Sequence, residues 1–271
     1  MPELPEVETT LRGIQPSLQG RTIADVVVRN AALRWPVSAE VESARGQSVT
    51  NCRRRAKYLL IETGDAGGLM IHLGMSGSLR ICDARDAPRK HDHVDVVLDN
   101  GQCLRFNDPR RFGMFDWWNP PADAHPLLAE LGPEPLGDGF TGSYLHKRSR
   151  GRKGPVKNFI MDGKIVVGVG NIYASEALFM SGIHPSRSAG RISAARYDAL
   201  CEAIRDVLAR AIRRGGTTLR DFLNSDGNPG YFAQELLTYD REGLPCFQCS
   251  TPIRRKVIGQ RSSYYCPRCQ R

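Results

Sequence analysis

The stretch Val94-Asp-Val-Val-Leu98-Asp99-Asn100-Gly101-Gln-Cys103-Leu-Arg-Phe106 decides the fold of the first half of the chain. Two runs rich in apolar and β-branched residues flank Asp-Asn-Gly, whose Asn-Gly pair suits a type I′ turn, so the spacing predicts an antiparallel hairpin. Outward from it, 23–28, 58–62, 69–73 and 78–81 show the same β-branched or alternating character within 22–118. An antiparallel sandwich or barrel is therefore expected. Ahead of it, Leu4, Val7, Leu11 and Ile14 recur at helical spacing, Pro5 suits a first turn and Gly13 offers a stop.

Beyond the strands, 119–154 holds Pro120, Pro121, Pro126, Pro133 and Pro135 with several glycines and reads as a linker. The period then becomes helical. Asn171 is placed to cap a helix through Met180 with Gly182 as its stop, and Ser193 one through Arg214 before Gly215-Gly216. The expected class is α+β and multidomain: an N-terminal β-sandwich domain with its helix (1–130), a linker (131–154), a helical domain (155–238) and a terminal segment (239–271).

The chain has 271 residues with 38 Lys+Arg against 29 Asp+Glu, a formal net charge of +9. Seven basic residues against Glu242 alone fall in 241–271, and His146, Lys147, Arg148, Arg150, Arg152, Lys153 and Lys157 form a second cluster. A single charge run is usually a solvated face, but two on a basic chain point to a polyanion, nucleic acid first. No apolar run approaches the roughly 18–20 residues of a membrane span, and the acidic start MPELPEVE is unlike a signal peptide. A reducing cytoplasm is the expected compartment, with Cys52, Cys82, Cys103 and Cys201 as scattered thiols.

The other four cysteines form two pairs, Cys246-x-x-Cys249 and Cys266-x-x-Cys269, sixteen residues apart. This is zinc-ribbon spacing: two knuckles each present two thiolates to one tetrahedral Zn2+, and four protein ligands leave no open position, so the metal is structural. Arg254, Arg255, Lys256 and Arg261 between the pairs suit phosphate contact.

The N-terminus carries a different chemistry. With Met1 removed, Pro2 exposes a secondary amine of pKa near 8, about two units below lysine, able to attack an electrophilic carbon while Glu3 moves protons. By themselves these residues read simply as the lead into a helix.

MPELPEVET, Arg55-Ala-Lys57-Tyr58-Leu59, His72-Leu-Gly-Met75-Ser-Gly-Ser, Asp108-Pro-Arg110-Arg111-Phe112-Gly, Gly168-Val-Gly-Asn171-Ile-Tyr173 and the four-cysteine tail occur in that order along the whole chain. Together they resemble the bacterial formamidopyrimidine-DNA glycosylase (Fpg/MutM) family. The resemblance implies a bifunctional glycosylase and AP lyase of base-excision repair, with a helix–two-turn–helix in the helical domain and a β-hairpin zinc finger at the end. Pro2 would attack C1′ of the damaged nucleotide and hold it as a Schiff base. Glu3 would transfer protons, Lys57 would donate one in β-elimination, and Arg261 would bind phosphate and serve δ-elimination.

Because a stacked base is out of reach, the nucleotide must be extruded and the gap filled. Met75, Arg110 and Phe112 match the inserting trio, with Arg110 on the orphaned cytosine. His91, Arg152 and Asn171 match DNA contacts, although Arg152 stands where many relatives have lysine. Residues 217–239 match the region that closes over the extruded purine, and His72 reads as structural.

The implied partner is double-stranded DNA containing oxidised purines (formamidopyrimidines, 8-oxoguanine opposite cytosine) or abasic sites, handled by a nucleoid-associated monomer. Two rivals are an endonuclease VIII-like enzyme for oxidised pyrimidines, disfavoured by MPELPE and the trio, and a non-catalytic zinc-ribbon DNA-binding protein, which gives Pro2, Glu3 and Lys57 no reason to be present.

Overall fold

The computed structural model describes residues 2–217 and 232–271. They form two compact units, 2–130 with 214–217 and 131–213 with 232–271. Met1, and most of the 217–239 segment expected to close over the purine, lie outside the described residues.

The first unit opens with α1 (Leu4–Leu18). It runs past Gly13, the expected stop, because Ile14 and Leu18 continue the apolar stripe and are fully buried. Burial of that stripe outweighs the roughly 1 kcal/mol helix penalty of one glycine.

Eight strands follow: β1 (Ile23–Val28), β2 (Asn51–Arg55), β3 (Tyr58–Glu62), β4 (Gly68–His72), β5 (Ser78–Asp83), β6 (Asp92–Leu98), β7 (Gln102–Asn107) and β8 (Met114–Trp118). They pair antiparallel as two four-stranded sheets, β1-β6-β7-β5 and β2-β3-β4-β8. Leu59, Ile61, Leu69 and Ile71 of one sheet share a core with Val94, Val96, Leu104 and Phe106 of the other and with Val7, Leu11 and Ile14 of α1.

The β6–β7 hairpin is where the sequence placed it, but its turn is of another type. Only Gly101 of the three turn residues takes a positive φ (83°), and its N–H donates to Leu98 O at 3.1 Å. This is a type I turn closed by a left-handed glycine, whereas type I′ needs positive φ at both central residues. Strand β2, Asn-Cys-Arg-Arg-Arg, has no apolar alternation to announce it. Pairing with β3 fixes it, helped by Arg53 Nε on Glu62 Oε1 at 2.6 Å and Arg54 Nε on Glu8 Oε2 at 3.0 Å.

The second unit is helical: a short α2 (Pro126–Ala129) precedes it, then come α3 (Gly142–Ser149), α4 (Val156–Met161), α5 (Asn171–Met180) and α6 (Ala194–Arg213). The stretch 131–154, expected as a linker, is built into this unit. Phe140 and Leu145 are fully buried in its core, and the Thr141 side chain caps α3 by accepting from Tyr144 N at 3.1 Å. Its prolines and glycines shape turns within a packed segment. Helix α5 is buried on nearly every side, with Tyr173, Ala174, Ala177 and Leu178 at 0% exposure, as befits the central helix of a bundle.

The chain ends in a two-stranded hairpin, β9 (Arg254–Ile258) and β10 (Arg261–Tyr265), with Ile253, Tyr264 and Cys266 packed on Phe179. Among the described residues no helix is long and apolar enough to cross a membrane.

Candidate active site and nucleic-acid interface

Pro2 is buried immediately ahead of α1, and Glu3 is the residue capping that helix. Glu6 fixes the Glu3 backbone. One of its carboxylate oxygens accepts Glu3 N and the other accepts Thr217 N, each at 2.8 Å. Gly216, at φ 85°, stands so close that a Cβ there would lie 3.1 Å from Glu6 Oε1. Sequence reasoning passed over Glu6, because the capping box it forms has Glu3 where the usual signal has Ser, Thr, Asp or Asn.

Helix α1 lies along β2, and Lys57 occupies the β2–β3 turn, where Ala56 is left-handed at φ 56°. Tyr58, the next residue, pairs with His72, their rings 5.0 Å apart. Burial, and then the charges of Lys57 and Arg34, push the His72 pKa down to about 4. The neutral ring accepts Gly74 N at Nδ1, 3.0 Å, at the root of the loop that carries Met75.

Met75 leaves β4 on one loop, and Arg110 and Phe112 lie between β7 and β8 on another. The structure brings the three together. Asp108, fully buried, accepts Ser76 Oγ at 2.6 Å and Gly113 N at 2.7 Å, while Ser76 Oγ accepts Arg110 N at 3.1 Å. At Gly74 a Cβ would sit 2.4 Å from the Phe112 carbonyl carbon, so only glycine allows the two loops this close. Met75 and Phe112 are 39% and 40% exposed, and the Arg110 guanidinium lies 5.2 Å from the Phe112 ring centre. Two large apolar side chains held out in water beside a cation are the reverse of core packing.

His91, left-handed at φ 73°, joins this cluster through its carbonyl, which accepts Asp108 N at 3.0 Å. Asp108 and Ser76 lie within the 108–113 and 72–78 motifs, where nothing in the sequence marks a role for either; their work appears only in the contacts.

In the second unit Asn171 begins α5, with Gly170 rather than Asn171 as the capping residue. Its side chain turns elsewhere: Oδ1 accepts Lys157 Nζ at 2.6 Å and Nδ2 donates to Ser262 O at 3.0 Å. Lys157, counted by sequence among a basic cluster, is instead fully buried and also donates to Ser262 O (3.0 Å) and Ser263 Oγ (2.7 Å). A buried ammonium persists only where such acceptors surround it. Arg261 is exposed at the head of β10, one residue before Ser262, so the structure brings Asn171 and Arg261 to one locality. Arg152 is exposed after α3, with its carbonyl accepting Gly190 N at 2.8 Å and Ser188 Oγ at 3.1 Å.

The Sγ atoms of Cys246, Cys249, Cys266 and Cys269 all lie within 4.8 Å of one another, with Cys246–Cys269 at 4.0 Å and Cys249–Cys266 at 3.4 Å. A Zn–S bond of about 2.3 Å implies tetrahedron edges of about 3.8 Å, so the thiolates fit one Zn2+. Cys269 N also points to Cys266 Sγ at 3.4 Å, as a metal knuckle requires.

Three family models match the chain: the formamidopyrimidine-DNA glycosylase N-terminal domain over 1–115, the formamidopyrimidine-DNA glycosylase H2TH domain over 131–223, and the zinc finger found in FPG and IleRS over 243–271. The chain is 62% identical over 273 residues to the formamidopyrimidine-DNA glycosylase of Alcanivorax borkumensis, covering 100% of both. Among solved structures it is similar to a Lactococcus lactis FPG mutant in complex with DNA containing Fapy-dG (TM-score 0.91, 29% identity, 100% of each chain covered). It is likewise similar to Lactococcus lactis Fpg with DNA containing an abasic site (TM-score 0.90, 29% identity, 99% of each chain covered).

Proposed function

The chain belongs to the formamidopyrimidine-DNA glycosylase family, and on that premise we propose which of its residues carry the activity. It is a DNA glycosylase and AP lyase that excises formamidopyrimidines in base-excision repair, with a four-cysteine zinc finger. In the proposed mechanism Met1 is absent and the Pro2 amine attacks C1′ of the extruded nucleotide. The C1′–N bond breaks and the base leaves with the proton lost by the Pro2 amine; the C1′–O4′ bond then opens as O4′ takes a proton that Glu3 helps to deliver, and the ring-opened sugar stays on Pro2 as an iminium. Lys57 serves the proton transfers of β-elimination, and Arg261 grips the phosphate and serves δ-elimination.

Met75 and Phe112 wedge the stack open, and Arg110 reads the orphaned cytosine. His91, Arg152 and Asn171 hold the backbone. Substrates extend to 8-oxoguanine opposite cytosine. Residues 1–130 carry the chemistry, while 155–238 and 239–271 hold DNA, and the protein works as a monomer on the nucleoid in the cytoplasm. Bound zinc supplies folding energy to the finger and takes no part in the chemistry.

The observation that best supports this reading is the convergence of Met75, Arg110 and Phe112 on two loops tied by buried Asp108, with apolar tips in solvent. The test is borohydride trapping on oxidised duplex. A covalent enzyme–DNA species is expected, with peptide mapping placing the link on an N-terminal Pro2 free of Met1. A link mapped to Lys57 would overturn the assignment.

A further inference from the structure

Strand β5 is the edge of its sheet, and Cys82 on it is the direct register partner of Cys103 on β7. Their Sγ atoms are 3.4 Å apart. The neighbouring pairs Leu79–Phe106 and Ile81–Leu104 belong to the sandwich core, so by strand alternation Cys82–Cys103 and Arg80–Arg105 occupy the opposite, outer face. That face is capped: Arg105 NH1 donates to Asp86 O at 2.9 Å, and its guanidinium and that of Arg29 share Asp95. Cys103 is fully buried beneath this cover, while Cys82 remains partly exposed. Neither thiol has a part in the zinc site or in the proposed chemistry.

We propose that Cys82 and Cys103 are a reversible oxidation site, converted by hydrogen peroxide into an intramolecular disulfide across the two strands. Directly opposed residues on antiparallel strands have Cα atoms about 4.5–5.5 Å apart, within the range a disulfide spans, so the sulfurs need only rotate from contact to a bond of about 2.04 Å. Cys82, the accessible thiol, reacts first. Its thiolate attacks a peroxide oxygen, the O–O bond breaks, and Cys82 becomes a sulfenic acid as one water leaves.

Cys103 then attacks the Cys82 sulfur; the S–S bond forms, the S–O bond breaks, and the departing hydroxide takes the Cys103 proton as a second water. Two thiols lose two electrons and the peroxide gains them. Burial pushes the Cys103 thiol up to about 12, so it is not the first target; its place 3.4 Å from the Cys82 sulfur is what makes it the resolving partner. Its position beside Cys82 spares the sulfenic acid from further oxidation.

The experiment treats zinc-loaded, full-length enzyme with a few equivalents of hydrogen peroxide and maps tryptic peptides without reduction. The expected product is residues 81–85 linked to residues 91–105, two mass units below the sum of the free peptides, in a protein that stays monomeric on a non-reducing gel. Dithiothreitol should restore both peptides, and Cys82→Ser should abolish the link. Recovery of Cys82 as a sulfinic acid with Cys103 still a free thiol, a Cys82–Cys82 dimer, or both thiols intact while other cysteines oxidise would each overturn the proposal.

Discussion

His72 shows how one side chain joins the chemistry of a strand to the shape of a loop. Its Nδ1 accepts Gly74 N only while the ring is neutral, and burial with Lys57 and Arg34 nearby lowers its pKa to about 4. In the unfolded chain the pKa returns to roughly 6.5. Between about 6.5 and about 4 the unfolded chain therefore binds a proton that the folded chain refuses, and stability falls as the pH drops through that window. The linkage is worth at most about 3 kcal/mol. Thermal unfolding of wild type should lose more between pH 7 and pH 4.5 than His72→Gln, which keeps an acceptor without the titration. Equal losses would remove His72 from this role. The sequence marked His72 as structural; that it secures the Met75 loop required Gly74 to be seen beside it.

Among the elements, the β9–β10 hairpin is the least able to stand alone. Five residue pairs and a small cluster around Ile253 and Tyr264 bury too little to hold two strands without help. The metal must supply the difference, because binding to four thiolates is coupled to folding. Chelation, or Cys249→Ser, should abolish amide protection in 254–265 while 92–107 in the sandwich keeps its protection, as hydrogen exchange would report. DNA binding should weaken with it, because Ser262 and Ser263, acceptors for Lys157 and Asn171, lie on the melted strand. Full DNA affinity in protein shown to be free of metal would contradict this coupling. The cysteine spacing alone announced the finger, yet nothing in sequence showed that a buried lysine ties it to α4 and α5.

At the scale of the whole molecule, a net charge of +9 favours any polyanion, so grip and discrimination must come from different residues. Arg110→Ala should flatten the preference for cytosine opposite the lesion by about 1–3 kcal/mol, the usual worth of a base-edge contact. Arg152→Ala should instead weaken binding evenly across opposing bases and shallow its salt dependence by about one phosphate. Excision and binding measured over the four opposing bases and several salt concentrations separate the two; an Arg110→Ala enzyme slowed uniformly would leave the trio without its reader. The sequence by itself determined what local chemistry encodes: the strand run, the hairpin at 94–106, the helices from Asn171 and Ser193, and the metal ligands. Each rests on residue type and spacing within a few turns. Tertiary structure alone decided the turn type at Gly101, the continuation of α1 past Gly13 and the incorporation of 131–154 into a core. It also decided the meeting of Met75 with Arg110 and Phe112 through Asp108 and the burial of Lys157. These depend on partners tens of residues away, whose burial and hydrogen bonds outweigh local preference and leave no periodic mark on the chain.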